Sequence, residues 1–274
     1  MTLVGRAWRK VRNRERLRRA ARVARSQMPG LITRIAPSDK MLNRSDPGQY
    51  FIAGHAALEA VERALVAAGI DAPSKVLDLA CGHGRVLRYF RARWPLADIT
   101  ASELMPGAVE FCADAFGVTP LPSSDPLWET DFGGPYDLVW SGSLFTHFDA
   151  PYWEPSLDHV RKLLAPGGVY VFTAQGEPSL AFLSGSGEYP ILDRVLPANY
   201  GLPKGRADAV VAAAQQTGFG FAHYEGAEGN PYGASISLPA WVRERTQQAG
   251  LRVVTHEVGG WGGHQDVWTV TPAA

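Results

Sequence analysis

The sequence predicts an α/β fold, with a doubly wound, mostly parallel sheet of seven strands, an antiparallel last strand and an inserted segment near the end. Three observations support this. Short apolar runs alternate with helical segments between residues 75 and 174. The first run ends in an acid and a glycine-rich turn, "VLDLACGHG". The final two runs are joined by only six residues, "GGWGGH", which makes them antiparallel neighbours.

The first element of the predicted body is a helix. The turn "DPG" precedes "YFIAGHAALEAVERALVAAG", which has helical apolar spacing and ends at glycine. Further helices are predicted over "GRVLRYFRARW", over "PGAVEFCADAFG", which proline opens and glycine closes, and over "PYWEPSLDHVRKLLA". The predicted strands are 75–80, 98–103, a weaker one near "VTPLPSS", 136–142, and 169–174 after a turn at "PGG". Because such sheets bind ligands at the carboxyl ends of their strands, we expect functional residues at that edge.

The segment 175–236 departs from this alternation. It is rich in Gly, Pro, Ser and aromatic residues, and "RADAVVAAAQQTG" is its one predicted helix. Its glycines stand among five ring side chains: Phe219, Phe221, His223, Tyr224 and Tyr232. This composition is typical of a lid that closes over a ligand, and a dimer contact or a surface excursion is the alternative. Beyond it, "SLPAWVRERTQQAG" predicts a helix capped by Ser237, followed by the strands "LRVVTHEV" and "QDVWTV".

Composition narrows the class of protein. With 274 residues, 46% apolar and 20% charged, the chain is typical of a globular protein and not of a fibre or a disordered chain. It lacks a run of roughly 18 apolar residues, and no apolar signal region follows the basic N-terminus, so we expect a cytoplasmic protein. Cys81 and Cys112 have no partners at metal-ligand spacing, which predicts free thiols and no zinc site.

Charge divides the chain into a basic arm, 1–45, and a domain, 46–274. Residues 1–26 contain ten basic side chains and one acid, and the remaining residues contain 17 basic and 26 acidic ones. On a helix the arginines would face every side and leave no wide apolar stripe. We expect either a solvated, partly disordered arm or a contact with anionic lipid, nucleic acid or an acidic partner.

The glycine-rich turn after the first strand indicates a cationic ligand. A dinucleotide fingerprint counted from Gly82 and Gly84 requires glycine at the position of Leu87. Asp78, at the tip of the strand, would repel a phosphate and attract a cation. S-adenosylmethionine (SAM) carries an ammonium, a sulfonium and no phosphate, and it therefore suits this turn.

Four motifs, in order, resemble those of class I SAM-dependent methyltransferases, which have a Rossmann-like fold: "VLDLACGHG", "ITASELMPGAV", "PYDLVWSGSLFTHF" and "LLAPGGVYVFT". The resemblance covers about residues 50–175 and the terminal hairpin. It implies SAM as cofactor, with Asp78 and the glycines at its methionine end and Glu103 on both ribose hydroxyls. The cofactor-binding residues implied are Asp78, Ala80, Cys81, Gly82, Gly84, Glu103, Leu104, Met105, Ser141 and Gly142, with Ser124 or Asp125 at the adenine. Ala80 replaces a usual glycine, and this replacement is tolerable if the φ of Ala80 is negative.

Methyl transfer to a hydroxyl requires alignment and the removal of a proton. Of the seven histidines, His147 is the best candidate for the base or substrate anchor, because it follows the strand end at Ser141. His264 and Asp266 lie at the start of the reversed strand and are further candidates. Trp261 either walls the pocket or is a packing plug.

The substrate-binding residues expected are Tyr50, His55, His223, Tyr224, Tyr232 and Trp261. Aromatic rings with scattered hydroxyls and few cations suit a sugar or small hydroxylated metabolite better than a polynucleotide. We expect a metal-independent O-methyltransferase of a small-molecule or glycan substrate. An RNA or protein methyltransferase recruited by the arm, and a non-catalytic SAM-fold scaffold subunit, are the alternatives. Membrane contact through the arm and oligomerisation remain open.

Overall fold

The computed structural model describes residues 3–105, 107–186, 198–226 and 232–273. Pro106, which was expected to open a helix, lies outside the described residues, as do residues 187–197 and 227–231 of the expected lid. Side chains are described from residue 11 onward. Among the described residues, no helix is both long and apolar enough to cross a membrane.

The centre of the fold is a seven-stranded sheet in the order β3-β2-β1-β4-β5-β9-β8. Its first five strands are parallel, and β9 runs antiparallel between β5 and β8, which confirms the predicted fold class. A separate two-stranded antiparallel ladder joins β6 to β7. The strands are β1 Lys75–Leu79, β2 Asp98–Glu103, β3 Thr119–Pro122, β4 Tyr136–Ser141, β5 Leu164–Gln175, β6 Phe219–His223, β7 Gly233–Ser237, β8 Leu251–Trp261 and β9 Gln265–Pro272.

Helices cover both faces of the large sheet. They are α1 Leu3–Gln27, α2 Gly48–Ala68, α3 Leu87–Arg93, α4 Ala108–Phe116, α5 Ala150–Leu163, α6 Glu177–Ser184, α7 Lys204–Thr217 and α8 Pro239–Gln248. Alternate residues of each central strand enter different cores. Val76 packs with α2, α3 and α4, whereas Leu77 packs with α5 and α8. This two-sided burial explains why the strand sequences are almost continuously apolar.

Several element predictions need correction. The "PGG" turn lies inside β5, where a register shift against β4 accommodates the extra residues. Ser237 is not a helix cap, because it ends β7, and α8 begins at Pro239 without a side-chain cap. The segment 175–236 holds more regular structure than one helix, namely α6, α7 and the β6–β7 ladder. It also has its own small apolar core, around Val210, Ala214 and Ile236.

The inserted segment is joined to the large sheet through the turn that follows β4. Ser235 Oγ donates a hydrogen bond to the carbonyl of Phe145 at 3.0 Å. Phe148 and Tyr232 form an isolated antiparallel bridge. β7 therefore holds Tyr232 and Gly233 against the 3₁₀ turn Phe145–His147, at the carboxyl edge of the sheet.

The basic arm forms a helix and packs on the domain. α1 extends over Leu3–Gln27. Ala24 is only 2% exposed, and Leu17, Ala20 and Ala21 pack partly buried against the same core as α2. Its arginines from residue 12 to 25 remain at the exposed surface. The arm is therefore a cationic helix attached to the body by a narrow apolar contact.

Candidate active site

The glycine turn after β1 is a run of left-handed backbone. Ala80, Gly82 and Gly84 have φ of +62°, +54° and +76°. The condition that Ala80 keeps a negative φ is not met, and its side chain carries the steric cost of the left-handed conformation. A Cβ at Gly84 would collide with the Phe116 ring, whereas one at Gly82 would meet open space. The turn thus exposes bare backbone at Gly82 for a ligand.

Asp78 lies at the end of β1, just before this turn. Its side chain is fully buried, and Oδ2 makes no hydrogen bond. Burial, with a smaller contribution from the negative charge of Glu103, raises the pKa of this carboxyl well above its usual range. A buried acceptor without a partner is costly, and a cationic hydrogen-bond donor would satisfy it.

Glu103 ends β2 and links it to the turn. Its Oε2 accepts a hydrogen bond from Gly82 N at 2.8 Å, and Oε1 accepts from Leu104 N at 2.8 Å and Met105 N at 3.2 Å. A carboxylate has about four acceptor positions, so further hydroxyl donors can still bind. Leu104 and Met105 beside it are 54% and 43% exposed, which places an apolar surface next to the carboxylate.

The third strand places Ser124 and Asp125 at the same edge. Ser123 N donates to the carbonyl of Glu103 at 3.1 Å, and Ser124 N donates to Thr130 Oγ1 at 2.8 Å. Both Ser124 and Asp125 are exposed. These bonds keep the loop after β3 beside Glu103, where an adenine contact was predicted.

Behind the turn, several predicted residues are packed. Cys81 and Cys112 are buried free thiols that both approach the Gly82 carbonyl, at 3.3 and 3.5 Å. Ser141 Oγ is bonded to Tyr170 Oη at 2.6 Å in the interior. A Cβ at Gly142 would lie 3.0 Å from both the Trp140 and Trp261 rings. The structure thus uses Gly142 to admit a tryptophan close to the strand end.

His147 lies in the short turn after β4, between side chains of the inserted segment. Its Nδ1 is 2.9 Å from the Gly233 carbonyl oxygen and 3.1 Å from Tyr224 Oη. The Tyr232 ring stacks on the imidazole with centroids 4.5 Å apart. Burial lowers the pKa of His147, although the Gly233 carbonyl opposes this shift. The ring is therefore neutral near pH 7, with Nδ1–H directed at Gly233 and Nε2 as the basic nitrogen.

Tyr232 connects this histidine to the expected cofactor site. Burial raises the pKa of Tyr232, and the negative charge of Glu103 contributes to the same shift. The two groups must be close for that charge to act. Tyr224 and Tyr232, both predicted from the sequence, thus share one cluster with His147 on the Glu103 side of the site.

His264 lies in a second polar cluster, at the start of β9. Its Nδ1 is 3.1 Å from the Gly262 carbonyl, and its Nε2 is 3.4 Å from Gln265 Nε2. Burial lowers the pKa of His264, and the positive charge of Arg85 has the same effect. Gln265 Oε1 accepts from Thr173 Oγ1 at 2.6 Å and from Ser143 Oγ at 3.2 Å.

Ser143, Thr173 and Gln265 were missed by the sequence reasoning. A weak signal existed for Ser143, which follows the "SG" of a strand end, and its φ is +63° in the structure. Gln175 was also missed, and its buried Oε1 has no hydrogen-bond partner. Uncharged Ser, Thr and Gln side chains occur throughout any chain, so only the pairing of β5 with β9 shows that they meet.

Three predicted site residues are held in structural contacts. Asp266 is buried, accepts a hydrogen bond from Gly259 N at 2.9 Å and is paired with His256 Nε2 at 2.8 Å. Tyr50 is buried and donates to Asp39 at 2.7 Å. Trp261 Nε1 donates to the Ala53 carbonyl at 2.9 Å, as a packing plug would. These contacts leave Asp266 and Tyr50 little freedom to meet a substrate.

His55 and His223 are less constrained. His55 lies 5.6 Å from the Tyr89 ring and 3.6 Å from Glu59. His223 has a buried Nδ1 without a partner, and its ring packs edge-on against Phe221. Neither residue joins the His147 cluster through a described hydrogen bond.

The residues at the turn fit SAM. Asp78 offers an unsatisfied buried acceptor to a cation, Gly82 offers open backbone, and Glu103 has an apolar surface beside it. Within the described ranges, no group of three or more His, Cys, Asp or Glu side chains is arranged to hold a metal ion.

Comparison with known proteins agrees with this geometry. A family model described as a methyltransferase domain matches residues 76–168. A SAM-dependent methyltransferase from Clostridium acetobutylicum superimposes with a TM-score of 0.53 at 12% identity, covering 80% of this chain and 92% of that one. Residues 76–168 are thus a methyltransferase domain, and the fold is that of class I SAM-dependent methyltransferases. SAM is the cofactor of the enzymes with this fold named here, and the matched residues of this chain contain the turn, Glu103 and His147.

Other solved methyltransferases share only the fold. Streptomyces venezuelae DesVI has a TM-score of 0.53 at 18% identity, covering 84% of this chain and 99% of that one. The 1,6-didemethyltoxoflavin-N1-methyltransferase of Burkholderia thailandensis, solved with S-adenosylhomocysteine, has a TM-score of 0.53 at 16% identity, covering 80% and 79%.

Two curated methyltransferases are similar in sequence. The malonyl-[acyl-carrier protein] O-methyltransferase of Acetivibrio thermocellus is 28% identical over 140 residues, which is 50% of this chain and 48% of that protein. The trans-aconitate 2-methyltransferase of Streptomyces avermitilis is 31% identical over 116 residues, 38% of this chain and 40% of that protein. The chain thus spans about half the length of the first relative and 40% of the length of the second.

Proposed function

We propose that this chain transfers the methyl group of SAM to a hydroxyl oxygen of a small-molecule or carbohydrate acceptor, with His147 as the general base. The observation that supports this best is the orientation of His147. Its Nδ1 is held by the Gly233 carbonyl at 2.9 Å, which leaves Nε2 as the proton acceptor. Of the predicted bases, it is the one that contacts the tyrosines of the inserted segment.

In this proposal, separate residues bind the cofactor and act on the acceptor. Bound SAM supplies an electrophilic methyl group. Asp78 and Glu103 hold its charged and hydroxylated parts and do not take part in proton transfer. His147 Nε2 accepts the hydroxyl proton as the acceptor oxygen attacks, and its lowered pKa keeps it unprotonated at neutral pH.

The aromatic cluster supports a small, hydroxylated acceptor. Tyr224 and Tyr232 present ring faces and hydroxyl groups around His147, with ring centroids 6.0 Å from each other. Ring faces bind the apolar face of a sugar, and hydroxyl groups exchange hydrogen bonds with it. The name of the malonyl-[acyl-carrier protein] relative supports oxygen as the methylated atom.

An acceptor screen with isotope-labelled SAM tests the proposal. Sugars, hydroxylated metabolites, carboxylic acids, RNA and peptides are incubated with wild type, His147→Ala and, as the matched control, His159→Ala. His159 is bonded to the Thr130 carbonyl at 3.1 Å in α5 and should be dispensable for chemistry. Labelled product from a hydroxylated small molecule, lost in His147→Ala alone, supports the proposal. Product only from RNA or peptide, or from no acceptor, contradicts it.

A further inference from the structure

Arg85, directly after the glycine turn, and Arg88, three residues later in α3, have opposite surroundings. Arg88 is buried and satisfied, because its Nε donates to Gly84 O and its Nη atoms donate to Ile32 O, Arg34 O and Tyr50 Oη, all within 3.0 Å. The partly buried guanidinium of Arg85 makes no hydrogen bond and no ion pair with any described residue. Its one described contact is the face of Trp261, 5.4 Å from the ring centroid.

The positive charge of Arg85 has no ion-pair partner among the described residues. Burial lowers the pKa of this guanidinium. The electrostatic effects of Tyr50 and Asp39 oppose that shift. The Asp39 carboxylate is already bonded to Met41 N and Tyr50 Oη. A partly buried cation that the described residues leave unpaired is available to an anionic ligand, and an anion at this site would gain a charge-assisted contact.

Arg85 also lies at the ligand edge of the sheet. It follows Gly84 directly, and its ring partner Trp261 contacts the strand end at Gly142. Its charge reaches His264, whose pKa it helps to lower. The guanidinium is therefore between the cofactor turn and the polar cluster of His264 and Gln265.

We propose that Arg85 is a carboxylate-binding residue of the active site. A planar guanidinium pairs with a carboxylate through two parallel hydrogen bonds. The contact with the Trp261 ring holds the guanidinium of Arg85 in place for such a pair. The carboxylate belongs either to the methionine end of SAM or to the acceptor. The acceptor source rests on the proposed function, and the cofactor source does not.

Binding measurements separate the two sources. Wild type, Arg85→Gln and Arg85→Lys are titrated calorimetrically with SAM and with decarboxylated SAM. The control is Arg93→Gln, which removes a charge from the same segment, where Arg93 is paired with Glu62 on the exposed surface. If Arg85 holds the cofactor, Arg85→Gln weakens SAM by roughly 10- to 100-fold and leaves decarboxylated SAM unchanged. Arg85→Lys, which keeps the charge but not the fork, should be intermediate.

If Arg85 holds the acceptor, SAM binds all variants equally. Malate and glucuronate, which each carry a carboxylate and a hydroxyl, are titrated into protein saturated with S-adenosylhomocysteine; they then bind wild type and Arg93→Gln but not Arg85→Gln. The proposal is overturned if Arg85→Gln equals Arg93→Gln in every titration, or if SAM and decarboxylated SAM weaken equally. Since none of these readouts requires turnover, failure to find a methylated hydroxyl would leave them intact.

Discussion

The backbone N–H of Gly82 donates to Glu103 Oε2 at 2.8 Å, so one carboxylate joins the glycine turn to the end of the neighbouring strand. The same group is expected to bind the ribose of SAM. Glu103→Ala should therefore weaken SAM binding by roughly 1–3 kcal/mol, because charged hydrogen bonds are lost and the turn loses its anchor. Calorimetric titration measures the change. Glu103→Gln should be intermediate, since its amide keeps one acceptor oxygen, and an unchanged affinity in Glu103→Ala would assign the ribose to another residue.

The buried Asp78 carboxylate has an oxygen without a hydrogen-bond partner in the ligand-free protein, and this destabilises the fold. Replacing Asp78 should therefore raise the free energy of unfolding. A raised pKa means that the folded state keeps the proton to higher pH than the unfolded state, so stability falls as pH rises above the usual value of 3.8. Asp78→Asn removes this loss and should raise the free energy of unfolding by about 1 kcal/mol at pH 7. It should also weaken SAM about tenfold or more, since the cation loses its charged partner.

Asp137→Asn is the matched control for Asp78→Asn. Asp137 accepts hydrogen bonds from Ser74 N at 2.7 Å and Lys75 N at 2.9 Å, at the opposite end of β1. Its replacement should lower stability and leave SAM affinity unchanged. Urea unfolding and calorimetry at pH 4 and pH 7 test both variants. A destabilised Asp78→Asn would mean that Asp78 has a partner in the ligand-free state.

Ala80 has a backbone conformation that favours glycine. At φ +62° its Cβ is strained, and Ala80→Gly should raise the free energy of unfolding by about 0.5–1 kcal/mol after the greater flexibility of unfolded glycine is subtracted. Ala56→Gly in α2 should have the opposite sign, with a loss of about 1 kcal/mol, because the helix gains nothing from glycine. Chemical unfolding compares them. Equal losses in both variants would contradict strain at Ala80.

The sheet could be predicted from the sequence because its signal is local. Apolar runs such as β1 and β4, glycine punctuation and the short β8–β9 turn each depend on neighbouring residues, and together they determine strand order in this class of fold. The α1 contact was not predictable in this way. Among the described side chains of α1, alanines and one leucine make the apolar contacts with the body, and small residues among arginines give no amphipathic signal.

The candidate site was predictable where a motif carries it. Asp78 and Glu103 lie at the carboxyl ends of the paired strands β1 and β2, and the parallel pairing of these strands brings both to the same edge of the sheet. Tyr232 lies 85 residues after His147, and its stacking on that ring depends on how β7 docks. Asp266 and His264 are only two residues apart in sequence. Side chains alternate between the two faces of β9, and this alternation buries Asp266, which pairs with His256. The positions of these side chains depend on how strands distant in sequence pair, and the amino-acid composition of the segments does not predict that pairing.

The contact of α1 with the body can be measured at one position. Ala24 is almost fully buried, whereas Val23 beside it is 51% exposed. Ala24→Glu should lower the free energy of unfolding by roughly 2–4 kcal/mol, because a charge would enter the apolar contact without a partner. Val23→Glu should change it by less than about 0.5 kcal/mol. Thermal and urea unfolding test the pair, and equal effects would show that α1 does not pack on α2 in solution.

His147 gives the sharpest prediction for catalysis. His147→Ala should lower turnover by roughly 10²- to 10⁴-fold while SAM affinity stays nearly unchanged, because the base acts on the acceptor and not on the cofactor. Burial lowers its pKa below the ordinary 6.5, so the wild-type rate should hold a plateau at neutral pH and fall only as pH drops through that lowered value. Single-turnover kinetics between pH 4.5 and 8 measure both effects.

His264→Ala separates the two histidines, since burial and Arg85 also lower the pKa of His264 and its Nδ1 likewise faces a carbonyl, that of Gly262. If His147 is the base, His264→Ala keeps the acid limb of the pH profile and most of the rate, whereas His147→Ala abolishes the limb. The reverse pattern would assign the proton to His264 Nε2. Loss of SAM binding in parallel with activity in His147→Ala would instead show that the His147–Tyr232 stack supports the cofactor site, because Tyr232 lies within range of the Glu103 charge.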